Sequence, residues 1–382
     1  MSALAPRVAR YFATGPAVRR TTRAVVTRLT AVAGVPGAGI VIAAALAALD
    51  CNATASAQTI DQLYAMAKPE QKLILWAAGP TAAYQRAVRA FEEKFPGISV
   101  ALTGGFSNVL NARIEEQIGA KKVETDVAIF QTIQDFVNWN NRRLLLHFKP
   151  EGFDTIAAGS KDKDGAWIAV NTNPIFYGYN SEQVRPEDVP KSARDFLKAQ
   201  FKGKLISAYP ADDDATLYDF YTVVEKYGWG YMDQYMAQQP KFVQGHLGVS
   251  RSIGSGESLV SLDNTVSSTL NVQRAGGKIA LAAPIDDSVP VFFTAEAILK
   301  DAPHPNVAKL FVSWLLSKEW QSAAGVYSAR DDVPPPAGLK PLSSYQLARG
   351  YVQFVTDEKQ LLALRKRFEG YTGPVSNRGG VQ

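Results

Sequence analysis

From residue 73 onward, short apolar runs alternate with stretches of helical periodicity, and this alternation limits the possible folds more than any single residue does. "LILWA" (73–77) predicts a buried strand. After "GPT", Tyr84, Val88, Phe91 and Phe95 recur at helical spacing, and Pro96-Gly97 ends the pattern. "ISVALTGG" (98–105) predicts a second strand, and Ser107 stands where an N-cap would before "NVLNARIEEQIGA". "TDVAIF" (125–130) predicts a third strand, with the helix "IQDFVNWNNRR" behind it. A β-α-β-α-β series implies right-handed crossovers and a parallel sheet. Ligands of such sheets sit off the carboxyl ends of the strands, against helix N-termini. Those ends are "AAGPT", "GGFS" and "FQT", which makes Gly79, Thr81, Ser107, Gln131 and Thr132 candidate ligand-binding residues.

The middle of the chain contains a second set of the same elements. "WIAVN" and "IFYGYN" (167–180) read as two strands, and "KLISAYP" (204–210) as another. Three aspartates, Asp212 to Asp214, then lead into a helix with Leu217, Tyr221, Val224 and Tyr227 on one face. Residues 249–265 predict a short helix and a strand, and "KIALAAP" and "PVFFTAEAIL" follow as strands. Residues 306–325 predict one long amphipathic helix, and a last helix is expected over about 346–369. "VPPPAGLKP" (333–341) is too proline-rich for regular structure and is expected to lie extended on the surface.

The chain's 382 residues, 46% of them hydrophobic, are ample for a large core. The formal charge of +5 suggests nucleic acid until its location is considered. Residues 1–57 carry six arginines (Arg7, Arg10, Arg19, Arg20, Arg23 and Arg28) against Asp50 alone. Taken from 41 basic and 36 acidic side chains, this leaves a formally neutral remainder, with no bulk electrostatic case for nucleic acid. The leader reads as an export signal: an arginine-rich start, an apolar run from Ala31 to Leu49, and an Ala55-Ser56-Ala57 cleavage site before Gln58. Cys51, the one cysteine, leaves with it. The mature chain then has no disulfide, thiolate zinc site or cysteine nucleophile.

In order, "LILWAAGPTAAYQRAVRAFEEKFPGISV", "DVAIF", "GKLISAYP" and "KDAPHPNVAKLFVSWLLSKEWQ" resemble an extracellular solute-binding protein of an ABC importer, closest to the branch that contains ferric-ion-binding proteins. The resemblance spans about Leu73 to Val333. It implies a type II periplasmic binding fold: two doubly wound α/β lobes joined by crossing strands, with a ligand cleft between them. It divides the chain into a leader (1–57), a first lobe (58–170), a second lobe (171–284), a return to the first (285–327) and a C-terminal segment packed on the second lobe with a flexible tail (328–382). It also implies a periplasmic monomer that captures a small polar solute by closing on it and delivers it to an inner-membrane permease, without chemistry or cofactor. Ferric-binding relatives use adjacent tyrosines after the strand that reads "SLVSLDNT" here, where this chain has Thr265 and Val266. Their histidine and glutamate fall near Gly79-Pro80 and Gln131, so a hard cation would find only neutral groups at all four positions.

In that fold Asp212, Asp213 and Asp214 follow a second-lobe strand and face the cleft. One is expected to cap the helix, and a second either binds an amine or hydroxyl group of the solute or only lines the loop. Asp263-Asn264, and Asp286-Asp287 beyond them, are expected opposite. Thr81 and Ser107 either cap their helices or hold an anionic group. Tyr218 either packs in the core or stacks on the solute. Trp76, Phe106, Tyr177 and Tyr209 carry the same pair of readings, and His147, His246 and His304 show no pattern that assigns them a role. No G-x-S-x-G elbow, H-E-x-x-H or phosphate loop supports an enzyme. Two rivals remain: iron held in another geometry by Tyr209, Tyr218 or Tyr221, and delivery of the ligand state to a sensor instead of a permease.

Overall fold

The fold is that of a computed structural model, which describes residues 58–375. The leader, its cleavage site and residues 376–382 of the tail lie outside the described residues. Helix α1 (Ile60–Ala67), which the periodicity did not reveal, begins with a capping box: the Thr59 hydroxyl accepts the Gln62 amide, and the Gln62 side chain accepts the Thr59 amide. The predicted series follows as β1 (Lys72–Ala78), α2 (Gln85–Lys94), β2 (Ser99–Gly105), α3 (Ser107–Gly119), β3 (Val127–Phe130), α4 (Ile133–Asn141) and a short β4 (Leu145–Leu146). β1 pairs in parallel with both β2 and β3, the arrangement that β-α-β crossovers require.

The run 167–180 is one strand and not two: β5 (Ile168–Asn180) continues straight through Pro174. Its partners change at that point. Through Pro174 it pairs with a later strand that both lobes share, and from Ile175 onward with strands of the second lobe. A residue without an amide donor is tolerated at this hand-over. The second lobe then comprises β6 (Ile206–Ala208), α5 (Asp214–Tyr227), α6 (Gly230–Ala237), β7 (Lys241–Val243), α7 (His246–Gly254), β8 (Val260–Thr265), α8 (Val266–Arg274) and β9 (Ile279–Ala282). β10 (Val289–Leu299) returns antiparallel to β5 and β3. The resulting sheet has the order β2-β1-β3-β10-β5-β8, so β5 and β10 are the two strands common to both lobes.

α9 (Pro305–Leu315) covers the first lobe, where Phe91 meets Phe311 and Trp314 edge-on at 5.1 and 5.3 Å. The single helix expected over 306–325 is broken. Ser317 turns extended, its side chain caps α10 (Lys318–Ala323), and the chain changes direction. The last predicted helix divides in the same way. After β11 (Leu347–Ala348) come α11 (Tyr351–Thr356) and α12 (Glu358–Thr372), with Asp357 capping the second. Phe368 packs on Phe220 and Trp229, which seats α12 on α5 and α6. Residues 333–341 form no helix or strand. Among the described residues no helix is long and apolar enough to cross a membrane.

Candidate functional site

In the first lobe, the loops after β1 and β2 lie edge to edge. The Gly79 amide donates to the Gly105 carbonyl at 2.8 Å, and Gly79 takes a φ of 107°, which side chains rarely adopt. A Cβ on Gly104 would stand 2.6 Å from the Gly79 oxygen and 2.8 Å from the Thr81 nitrogen, so only glycine allows the approach. The "GG" of "GGFS" therefore lets the backbone at Thr81 approach the loop that leads into Ser107. Ser107 is not an N-cap: it is the first helical residue of α3, and Phe106 holds the cap position with no capping side chain. Thr81 opens a short 3-10 helix that likewise lacks a side-chain cap. Thr132 does hold the cap position of α4, but its hydroxyl donates to Asp135 and leaves the helix amides alone. Gln131 precedes it, half-buried, with its carbonyl at 3.5 Å from the Tyr351 hydroxyl. Phe106 is 42% exposed beside Ser107, the one aromatic candidate with an open face.

In the second lobe, the three aspartates have three different functions. Asp213 is the N-cap of α5, accepting the amides of Ala215 and Thr216 at 2.9 and 3.0 Å. Asp212 is exposed and accepts from the Gln244 side chain at 2.8 Å. Asp214 is buried, taking the Gln134 amide at 2.9 Å and the Arg365 guanidinium.

Asp263 and Asn264 were expected to meet a solute, but both are fully buried within the lobe. The Asp263 carboxylate accepts from Thr216 at 3.0 Å and the Ala208 amide at 3.1 Å, and pairs with His246 at 2.8 Å. The Asn264 oxygen accepts from Ser250 at 2.9 Å, in a space kept free because residue 178 is glycine. Tyr218 is a packing residue: Tyr351 and Phe354 cover its ring at 5.6 and 5.0 Å. Asp287 is bound by Tyr177, the Ala193 amide, Lys226 and Tyr227, all within 2.7 Å.

His246 is the residue that sequence reasoning missed. It begins α7 behind Gly245 (φ 71°), stacks on Phe292 of β10, and lies 3.8 Å from Asp213 on its other nitrogen. Burial alone would lower its pKa, but the charges of Asp263 and Asp213 outweigh burial and push it up to about 10. Burial would likewise raise Asp263, yet the His246 charge and the surrounding donors hold it below the ordinary carboxylate value. The one signal in the sequence was position, since Gly245-His246 follows the strand "KFV" after a single residue, Gln244. Among the described residues no group of three or more His, Cys, Asp or Glu is placed to hold a metal ion.

Residues 86–346 match the family described as bacterial extracellular solute-binding protein. An uncharacterized protein of Haemophilus influenzae is 21% identical over 269 residues, covering 68% of this chain and 76% of that protein. The fold is similar to iron-bound HitA from Pseudomonas aeruginosa (TM-score 0.65, 20% identity, 78% of this chain and 99% of the other). It is equally similar to AfuA from Actinobacillus pleuropneumoniae with fructose-6-phosphate bound (TM-score 0.65, 17% identity, 79% and 98%). The ferric binding protein from Campylobacter jejuni gives 0.62 at 20% identity, over 78% and 99%. These likenesses establish the type II periplasmic binding fold.

Proposed function

Since the chain belongs to the bacterial extracellular solute-binding proteins, we propose that it captures a small solute with an anionic end and a hydroxyl- or amine-bearing end. It delivers that solute from the periplasm, as a monomer, to an ABC permease in the inner membrane. The leader is the export signal, cleaved after Ala57. The observation that carries the reading is the close approach of the two glycine loops, one leading into Thr81 and the other into Ser107 at the uncapped start of α3. Helix-start amides and two hydroxyls together suit a phosphate or carboxylate. In the second lobe, the exposed carboxylate of Asp212 suits hydroxyl or amine donors.

Ferric ion is the cargo named for several proteins of this fold, and two positions here argue against it. Thr265 uses its hydroxyl to cap α8, and Val266 is buried in an apolar cluster with Phe176, Val289 and Tyr327. Neither offers an anionic oxygen to a hard cation. AfuA, with its sugar phosphate, is the better guide to solute class.

A thermal-shift comparison of fructose 6-phosphate, fructose, inorganic phosphate, putrescine and ferric citrate tests the reading. A ligand at about 100 times its Kd adds about 2.7 kcal/mol. A rise with the phosphorylated sugar that fructose does not give supports the proposal, and a rise with ferric citrate alone overturns it.

A further inference from the structure

Asp214 occupies a place that solute capture alone does not explain. It stands at the first turn of α5 in the second lobe, 9% exposed, with each oxygen engaged by a different part of the chain. One accepts the Gln134 amide of α4, in the first lobe, at 2.9 Å. The other accepts the guanidinium of Arg365 in α12. The two bonds differ in how they respond to hinge motion. α12 is packed on α5 and α6 through Phe368 and Trp229, so Arg365 travels with the second lobe. Gln134 travels with the first. α11, which runs directly into α12, also packs against α4. A swing about β5 and β10 that parts α4 from α11 and α5 breaks the bond to Gln134 and can leave the bond to Arg365 intact.

We propose that Gln134 and Asp214 form a detachable clasp between the lobes, with Arg365 holding the Asp214 carboxylate aimed at the first lobe in both states. The polar surroundings fit a contact that is made and unmade. The Gln134 oxygen and the Arg365 Nε are both buried without a partner, so neither side of the clasp is locked into a complete network. Asp135, next to Gln134, is held by Thr132 and by the Asn111 amide at 3.1 Å. Its pKa is pushed up to about 6, chiefly by burial, with Asp214 and Glu115 adding to the rise. Glu115 is itself paired with Arg142, and Tyr351 of α11 faces Asp214 and Asp213 from the remaining side. The cation in direct contact with the clasp is therefore Arg365.

The inference is independent of which solute is bound, so its test uses none. Spin labels on Lys122→Cys and Lys202→Cys, in a Cys51→Ser background, place probes at exposed sites beside the strand starts of each lobe, away from the cleft. Pulsed dipolar spectroscopy then reads the distance between lobes. Gln134→Leu removes the donor and is expected to lower the closed-to-open ratio about tenfold, as for a hydrogen bond to a charged group. Gln134→Glu sets a second carboxylate against Asp214 and is expected to open the lobes further than Gln134→Leu does. A purely local role in α4 stability would not make the charged variant open more than the apolar one. Distance distributions for both variants that match the wild type would overturn the clasp.

Discussion

The two lobes present the same kind of strand ends to the cleft and complete them differently. In the second lobe the polar groups serve one another: Asp213 caps α5, Thr265 caps α8, and Asp263 holds the His246 that starts α7. In the first lobe, α3 begins without a capping side chain, and the Thr132 hydroxyl at α4 donates to Asp135 instead of accepting a helix amide. A helix start that lacks its own acceptor costs stability and is ready for a foreign one. On this view the second lobe is largely built and the first is left open. Substitutions at matched positions should therefore separate stability from binding.

The largest effect is expected inside the second lobe. Asp263→Asn leaves His246 without its buried partner and should cost roughly 3–5 kcal/mol in urea unfolding at pH 7. The sign with pH follows from His246, whose folded pKa lies near 10, above its ordinary value. Its contribution is fully present below about pH 6.5 and is lost as pH rises toward 10. The advantage of wild type over His246→Gln in melting temperature should shrink across that window, and a constant gap would count against the pair. Next is Gly104→Ala, whose added Cβ must push the two first-lobe loops apart. It should cost about 1–3 kcal/mol of strain and also weaken solute binding. Asp213→Ala should cost about 0.5–2 kcal/mol, the usual worth of a cap. Ser107→Ala is the counter-case: with no cap to lose, stability should change by less than about 0.5 kcal/mol. Solute affinity should still drop severalfold. If Ser107→Ala destabilised the protein as much as Asp213→Ala, the contrast between the lobes would fail.

How much of this could be read from the residues depended on how far apart the partners lie. The parallel series of the first lobe follows from spacings within single segments, although the meeting of its glycine loops does not. One cap among three aspartates was also legible, because capping is settled within four residues. The breaks at Ser317 and Asp357 were not, since each interrupts an apolar pattern that continues on both sides and is decided by a single side-chain bond. Pro174 misled because its tolerance depends on a change of partner strand, which no local pattern records. The surroundings of Tyr218, Asp214 and Asp263 could not be read for the same reason. Their covers and partners, in α11, α12, α4 and α7, come from distant parts of the chain. His246 carries its charge only because Asp263 and Asp213 surround it after folding.

The central claim is that the solute's anionic end rests on the open first lobe while its hydroxyl or amine groups meet the second. A crystal structure of the protein closed on its solute tests this most directly. The account predicts a phosphate or carboxylate within hydrogen-bond distance of Ser107 and Thr81, and donor groups of the solute toward Asp212 and Asp213. A solute held with its anionic group against the second lobe, or touching neither glycine loop, would contradict it.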